Sequence, residues 1–290
     1  MRNPILSGLI LSSLMLLPAA ALAQGEACEH AQPRNLQLDL RGVNTVVFEI
    51  GANRLDVRAT PNASGKLEGR ACASDADRLE RMQVTQTRSG STLVVRALRD
   101  RDFDRGSTLN LEWFGRTVNK YAYLDLEASV PDTVTVQLKV GSGDATVAGS
   151  RILSVDVGSG DIKASAIRGL VAASVGSGDV ELEDIGALEV ISVGSGDLVA
   201  RRVRGAVKVG SIGSGDFTLD GAKGSVAIGS IGSGDANVRD IGGDVTVESL
   251  GSGDIQARGI RGALNVARKG SGSVNHAQIA GRVTLPNDNN

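Results

Sequence analysis

The chain has 290 residues, a formal net charge of −2, a hydrophobic fraction of 41% and an aromatic fraction of only 2%. The charge balance excludes the strongly basic class of nucleic-acid-binding proteins, and the aliphatic content excludes a chain that is disordered for lack of apolar surface. Glycine contributes 38 residues and proline only six. This composition favours a β protein that has glycine at its turns and an aliphatic core.

The first 23 residues have the pattern of a secretory signal peptide. Arg2 gives a basic start, an apolar run from Ile5 to Leu17 follows, and Ala21-Leu22-Ala23 has the spacing of small residues found at cleavage sites. The run is shorter than the length of helix that usually spans a bilayer, and no later stretch is long or apolar enough to span one. We therefore expect an exported chain, periplasmic or secreted, that does not span the membrane after the signal is cleaved.

Residues 24–124 predict an N-terminal β region. Alternating apolar residues occur in short runs such as Leu36–Leu40 and Val46–Ile50, as expected for half-buried strands. Six of the seven aromatic residues also lie in this region, including Trp113 and Phe114. We expect either irregular coils or a small strand-rich cap, with Trp113 and Phe114 in the core of a cap or at a binding tip.

The only two cysteines, Cys28 and Cys72, both lie in this N-terminal region. In an oxidising compartment such a pair is more often bridged than free. A metal site is the weaker alternative, because no CxxC motif or set of nearby histidines accompanies the two thiols. The sequence thus predicts a Cys28–Cys72 disulfide.

Residues 125–290 contain a tandem repeat whose copies begin 17 to 19 residues apart. The motif GSGD occurs at 141–144, 158–161, 176–179, 194–197, 213–216, 232–235 and 251–254, and a last copy, GSGS, stands at 270–273. Between the motifs, β-branched and other aliphatic residues alternate with polar ones, and a second glycine recurs eight residues after most of the Asp residues. One copy is too small to bury its own apolar face, so the copies must stack. The predicted fold is all-β: a parallel β-helix, or β-solenoid, with coils of 17–19 residues.

Stacking places the Asp of each motif in a row along one edge, at about the 4.8 Å spacing of neighbouring strands. Two unshielded carboxylates at that distance repel by on the order of 1 kcal/mol even in water. The structural interpretation is that each carboxylate accepts hydrogen bonds from backbone N–H groups of its own turn, with positive φ at the flanking glycines. The row consists of Asp144, Asp161, Asp179, Asp197, Asp216, Asp235 and Asp254.

Two functional alternatives remain open for this row. Glycine- and aspartate-rich repeats bind calcium in parallel β-rolls, but calcium takes six to eight oxygen ligands and each coil offers a single recurrent Asp. The second functional alternative is a repetitive face of Asp and Ser that binds a glycan or a protein. No other cofactor is implied.

Basic residues recur seven positions after the Asp of several copies. A mixed, solvated face is the ordinary interpretation, and a groove for a polyanion is the functional alternative. These residues are Arg151, Arg168, Arg204, Lys223 and Arg261.

An enzyme is not predicted. Catalysis needs an asymmetric constellation, whereas the carboxylates of the repeat are equivalent. The sequence has two histidines and none of the common hydrolase or phosphate-loop motifs. A glycan-active enzyme is the third choice, because some β-helices cleave glycans with Asp and Arg side chains.

The run from Leu124 to Pro131, followed by TVQLKVGSGD and by GSGD at regular spacing, resembles a family of exported bacterial β-strand-repeat proteins of unknown function. That family is similar to the head domain of proteins thought to be auto-transporter adhesins. The resemblance implies a parallel β-helix and an adhesin-like or envelope role, and it transfers no catalytic residue. We therefore predict an exported, non-enzymatic scaffold or interaction protein whose partner is an envelope or surface protein or glycan. The alternative is a calcium- or glycan-binding repeat protein.

Overall fold

The structure, a computed structural model, describes residues 28–98 and 120–286. The predicted signal peptide and the aromatic pair Trp113-Phe114 lie outside the described residues. The predicted fold class is confirmed: parallel coils stack into a β-solenoid, and the described residues contain one short helix. Within the same residues, no helix has the length and apolar character needed to span a bilayer.

The repeat region forms two strands per coil, one before and one after each GSG corner. Each strand pairs in parallel with its equivalent in the next coil, as in Val209 beside Ile228 and Leu219 beside Val238. In the two long strands Ile162–Val175 and Val180–Val193, the second strand of one coil runs directly into the first strand of the next coil. The strands are β9 Thr135–Val140, β10 Asp144–Ala148, β11 Ile152–Val157, β12 Ile162–Val175, β13 Val180–Val193, β14 Leu198–Val203, β15 Val207–Ile212, β16 Phe217–Ala222, β17 Val226–Ile231, β18 Ala236–Ile241, β19 Val245–Leu250, β20 Ile255–Ile260, β21 Leu264–Val266, β22 Val274–Ile279 and β23 Val283–Thr284.

The core is a continuous column of aliphatic side chains along the solenoid axis. The first, third and sixth residues after each corner Asp point inward, so Leu198, Ala200 and Val203 stack on their equivalents in the coils on either side. Phe217, the one aromatic residue of the repeats, is fully buried in this column. Alternation along the strands therefore selects the buried face, as the sequence predicts.

The N-terminal region contributes two further parallel strands to the same stack, β3 Thr45–Gly51 and β4 Arg54–Thr60. Strand β3 pairs with β9, β4 pairs with β10, and Arg54 lies beside Asp144. Gly51 to Arg54 thus occupies the place of a GSGD corner. The solenoid begins one coil before the first GSGD motif.

Antiparallel strands complete the N-terminal end of the stack. The elements of this end are β1 His30–Pro33, β2 Leu36–Gln37, β5 Lys66–Ala73, α1 Ala76–Arg81, β6 Gln83–Ser89, β7 Thr92–Leu98 and β8 Ala122–Pro131. On the outer side of β3 and β4 lie two more parallel strands, β7 and β8. Antiparallel strands join these in turn, β6 to β7 and β5 to β8, and both β1 and β2 pair with β5. The region combines the two arrangements expected from the sequence, since it holds a coil and an antiparallel cap.

The predicted disulfide between Cys28 and Cys72 is present, with the two Cα atoms 5.7 Å apart. Cys72 is fully buried in β5, and Cys28 lies two residues before β1. The bridge joins two residues that are 44 positions apart in the sequence. It therefore fixes the start of the described chain to the cap.

A bend with positive φ recurs five residues after the corner position of each GSG copy, although only three of these residues are glycine. An L-residue in the left-handed region crowds its own carbonyl, which costs up to about 1–2 kcal/mol. The column consists of Gly149, Ala166, Asp184, Arg202, Gly221, Asp240, Gly259 and Gln278, with φ between 54° and 84°.

This bend predicts that glycine stabilises the fold at Ala166. Ala166 is exposed and has φ of 55°, so Ala166→Gly relieves strain and is expected to raise the free energy of unfolding by about 0.5–1 kcal/mol. The matched control is Ala227→Gly, at an exposed position within β17, which should lower it by about 0.5–1 kcal/mol. Urea unfolding measures both. Destabilisation by both variants would contradict a strained bend.

Candidate functional site

The GSG corners line up along one edge of the solenoid, and the second glycine of each is buried against the preceding coil. A Cβ atom there would lie only 1.7–2.0 Å from a backbone carbonyl oxygen of that coil. No side chain fits at such a contact, so glycine is required by the close approach of two backbones. The positions are Gly143, Gly160, Gly178, Gly196, Gly215, Gly234, Gly253 and Gly272.

The expectation of positive φ at the glycines that flank the corner is wrong. The left-handed residues of the repeat lie in the bend five positions after the corner, as at Gly221. The glycines of the corner do not have positive φ, and glycine is required there because no side chain fits against the preceding coil. Sequence alone does not separate these two causes, because both appear as a recurrent glycine.

Each corner Asp from Asp161 onward accepts a hydrogen bond from a backbone N–H, as the structural interpretation expects, but the donor belongs to the next coil. The N–H of Asp235 donates to Oδ1 of Asp216 at 2.9 Å, for example. The other bonds run from Asp179 to Asp161, Asp197 to Asp179, Asp216 to Asp197, Asp254 to Asp235 and Ser273 to Asp254, at 2.8–3.3 Å. The expected bond within its own turn is therefore wrong, and the carboxylates join successive coils.

Ser273 stands in the Asp column of the GSGS copy and also joins the row. It donates its N–H to Asp254 at 2.8 Å. This bond needs only a backbone N–H at that position, so serine in place of Asp preserves it.

Calcium binding at this row stays a prediction. The described residues contain no group of three or more His, Cys, Asp or Glu side chains placed to hold a metal ion. From Asp161 to Asp254, one oxygen of each carboxylate is engaged by the next coil. A melting curve in calcium and in chelator tests the prediction, since a bound ion raises the melting temperature.

The carboxylate of Asp216 offers a direct test of the coil-to-coil bond. Asp216→Ala removes the acceptor of the Asp235 N–H and is expected to cost about 0.5–1.5 kcal/mol, a modest value because water reaches this edge. Asp216→Asn keeps an oxygen acceptor and is expected to cost less than about 0.5 kcal/mol. Denaturant unfolding compares the two. An equal loss in both would mean that the charge, and not the hydrogen bond, stabilises the row.

A second candidate site is a groove of about 790 Å³ that follows the bend of the coils. We call it the lateral groove. Buried Val203 and Ala222 lie at its base. Its rims carry residues five and seven positions after the corner Asp, namely Asp184, Arg202, Arg204, Gly221, Lys223, Asp240, Gly242, Gly259 and Arg261. It crosses five coils, which corresponds to about 19 Å at the usual strand spacing.

The structure brings together only part of the basic row predicted from the sequence. Arg204, Lys223 and Arg261 line the lateral groove, whereas Arg151 and Arg168 belong to earlier coils. Arg168 pairs with the nearly buried Asp132, its Nη1 lying 2.6 Å from Oδ2. Members of the row therefore occupy different environments. Arg168 forms an ion pair near the N-terminal end, and the three later cations line a groove in the middle of the repeats.

Asn53 is a buried polar residue that sequence reasoning missed. It stands in the column of the second corner glycine and is 2% exposed. Its Nδ2 donates to the carbonyls of Ile50 at 2.8 Å and Ala97 at 3.3 Å, and its Oδ1 accepts from the N–H of Leu124 at 2.8 Å. The amide thus joins three strands at the N-terminal corner. The signal in the sequence is the run from Val46 to Thr60, whose alternation matches that around Gly141.

Comparison with solved structures supports the fold. The chain resembles a "putative lipid binding protein" from Parabacteroides distasonis, with a TM-score of 0.53, 15% identity, and coverage of 86% of this chain and 97% of that chain. It also aligns with a "putative adhesin" from Bacteroides fragilis, with a TM-score of 0.49, 17% identity, and coverage of 86% and 98%. At these identities, the likeness to the first protein shows a shared fold.

No family model matches the chain, and no curated protein matches it in sequence. Membership of the GSGD-repeat family therefore stays a prediction from the resemblance.

Proposed function

We propose that this chain is an exported, non-enzymatic β-solenoid that binds partners at the cell envelope through its long exposed faces, as an adhesin does. The proposal rests on the observation that the repeated carboxylates are engaged in hydrogen bonds between coils. From Asp161 to Asp254 they bond the next coil, so the recurrent acidic groups build the rod. What the rod presents to a partner is surface that extends over many coils.

Other observations support export. The Cys28–Cys72 disulfide is typical of proteins that fold in an oxidising compartment, and the first 23 residues have the pattern of a signal peptide. One protein that shares this fold is designated a "putative lipid binding protein", and a binding role is consistent with that designation. The envelope partner is a protein or a glycan.

Two measurements test the proposal. The chain expressed with residues 1–23 should be recovered outside the cytoplasm, shortened at Ala23 and with its disulfide formed, which mass spectrometry shows directly. Immobilised on beads, the chain from Gln24 to Asn290 should retain envelope components without releasing any product from them. Turnover of an envelope glycan that is lost on changing one corner Asp, but not its neighbours in the row, would contradict a non-enzymatic role.

A further inference from the structure

We infer that the lateral groove is a binding site for an acidic polysaccharide, one whose carboxylate groups are separated by neutral, hydroxyl-bearing units. This inference rests on the proposed binding function and names the ligand class and the residues that recognise it. It also selects one of the coil surfaces over the others. Four basic and two acidic side chains line this groove.

The cations of the groove fall into two pairs with different roles. Arg202 pairs with Glu183, and Arg204 lies 3.8 Å from Asp184 and donates to the carbonyl of Ile167 at 3.0 Å. Both guanidinium groups are thereby held in place by the protein. These two arginines form a fixed rim.

Lys223 and Arg261, by contrast, are exposed, and neither makes an ion pair with any residue of the described ranges. Lys223 also follows Arg204 in the same column, one coil away. Their backbones are about 4.8 Å apart, the usual spacing between coils. An anion bound at this side of the groove therefore meets Lys223, which has no ion-pair partner among the described residues, beside the fixed guanidinium of Arg204.

Glycines open the space that such a ligand needs. Gly242 stands between Lys223 and Arg261 in their column, and Gly221 and Gly259 flank Asp240 in the other column. A Cβ at Gly221 would meet no atom closer than 3.8 Å, and one at Gly259 would lie 2.7 Å from Oδ1 of Asp240, so side chains there would enter the groove. At Gly242 a Cβ would instead lie 2.4 Å from the carbonyl oxygen of Lys223, so the close approach of two backbones requires this glycine, and the column has no side chain between Lys223 and Arg261. The backbones of Lys223 and Arg261 are two coils apart, about 9.6 Å.

The same residues favour a glycan over other anions. Asp184 and Asp240 bring negative charge into the groove, which repels a chain with a phosphate on every unit but accepts hydrogen bonds from sugar hydroxyls. No aromatic side chain lines the groove to stack a base. A groove, as opposed to a flat face, also suits a single chain better than a bilayer surface.

The test is titration calorimetry of the chain from Gln24 to Asn290 with a hexasaccharide of alternating glucuronate and N-acetylglucosamine, whose carboxylates are separated by neutral units. A neutral hexamer of N-acetylglucosamine is the comparison. The double variant Lys223→Ser/Arg261→Ser should bind the acidic hexamer at least tenfold more weakly at low salt. The control Lys208→Ser/Arg268→Ser removes the same charges at exposed positions outside the groove and should bind within twofold of the unaltered chain. Circular dichroism verifies that both variants stay folded.

Three results would overturn the inference. They are equal binding of the neutral hexamer, an equal loss in both double variants, and tighter binding of single-stranded DNA or anionic vesicles than of the acidic hexamer. Retention of envelope components by the groove variant would leave the proposed function standing while the groove is rejected as its site. If the unaltered chain retains no envelope component at all, the proposed function itself is rejected.

Discussion

Replacing Gly196 with alanine is expected to lower the free energy of unfolding by at least about 3 kcal/mol, an unusually large effect for one methyl group. The added Cβ would lie 1.9 Å from the carbonyl oxygen of Gly178 and 2.7 Å from the carbonyl carbon of Ser177. These are backbone atoms, so the clash cannot be relieved by rotating a side chain. The two coils must therefore separate locally, and the parallel hydrogen bonds on both sides of the corner lengthen.

Two controls isolate the contact in Gly196→Ala. Ser195→Ala changes the exposed neighbour of the same corner and should cost less than about 0.5 kcal/mol. Gly141→Ala places its Cβ 3.0 Å from the carbonyl oxygen of Gly51, and its cost should lie between the two. Denaturant unfolding followed by circular dichroism gives all three values. A Gly196→Ala variant as stable as the unaltered chain would show that the corners are not stacked as described.

Replacing Asn53 with alanine is expected to cost about 3–5 kcal/mol. The amide bonds the Ala97 carbonyl and the Leu124 N–H, and it gives the Ile50 carbonyl a second donor beside the N–H of Asn53. A buried polar group left without a partner costs about 1–3 kcal/mol, and the groups at Ala97 and Leu124 each lose this bond. The loss is concentrated where the first coil meets the cap. The N-terminal end should therefore open before the repeats do.

The neighbouring variant Arg54→Ala is the control, because Arg54 is exposed at the same corner. It should change the free energy of unfolding by less than about 0.5 kcal/mol. Hydrogen exchange adds a regional measurement: Asn53→Ala should accelerate exchange in β3, β4 and β8 while β16 to β20 stay protected. Uniform acceleration along the whole chain would contradict a local role for Asn53.

The stack of coils was predictable because every copy carries the same information. GSGD at nearly constant spacing fixes the coil length, and alternation such as Val207, Val209 and Ile212 fixes the buried face. One misplaced coil would expose several aliphatic residues at once. The repeat therefore specifies the register more strongly than any single strand does.

The coil at β3 and β4 was not recognised from the sequence because its corner departs from the motif. Asn53 replaces a glycine and Arg54 replaces the Asp. Both changes fit the position of this coil. The strands on its other side, β7 and β8, meet Asn53 through its side chain, where later corners place one backbone against another.

The candidate sites were less predictable than the fold. The donor to Asp216 is the N–H of Asp235, 19 residues away in sequence, and no local pattern reveals such a bond. The recurrence of basic residues was visible in the sequence. Which of them form an ion pair and which line the groove was not. Asp132, which pairs with Arg168, lies outside the repeated column, and Gly242 occupies the column between two cations without adding a charge. Spatial neighbours, rather than residue type, decide the role of each cation.

Alignment of the GSG corners along one edge underlies the fold, the role of the Asp row and the position of the groove. Distances between spin labels measure it directly, with one label at Ser142 and the second at Ser195, Ser214, Ser233 or Ser252, all of which are exposed. Stacked coils predict distances of about 14, 19, 24 and 29 Å, an increment of about 4.8 Å for each coil. Distances that do not increase by one strand spacing for each coil would contradict the solenoid.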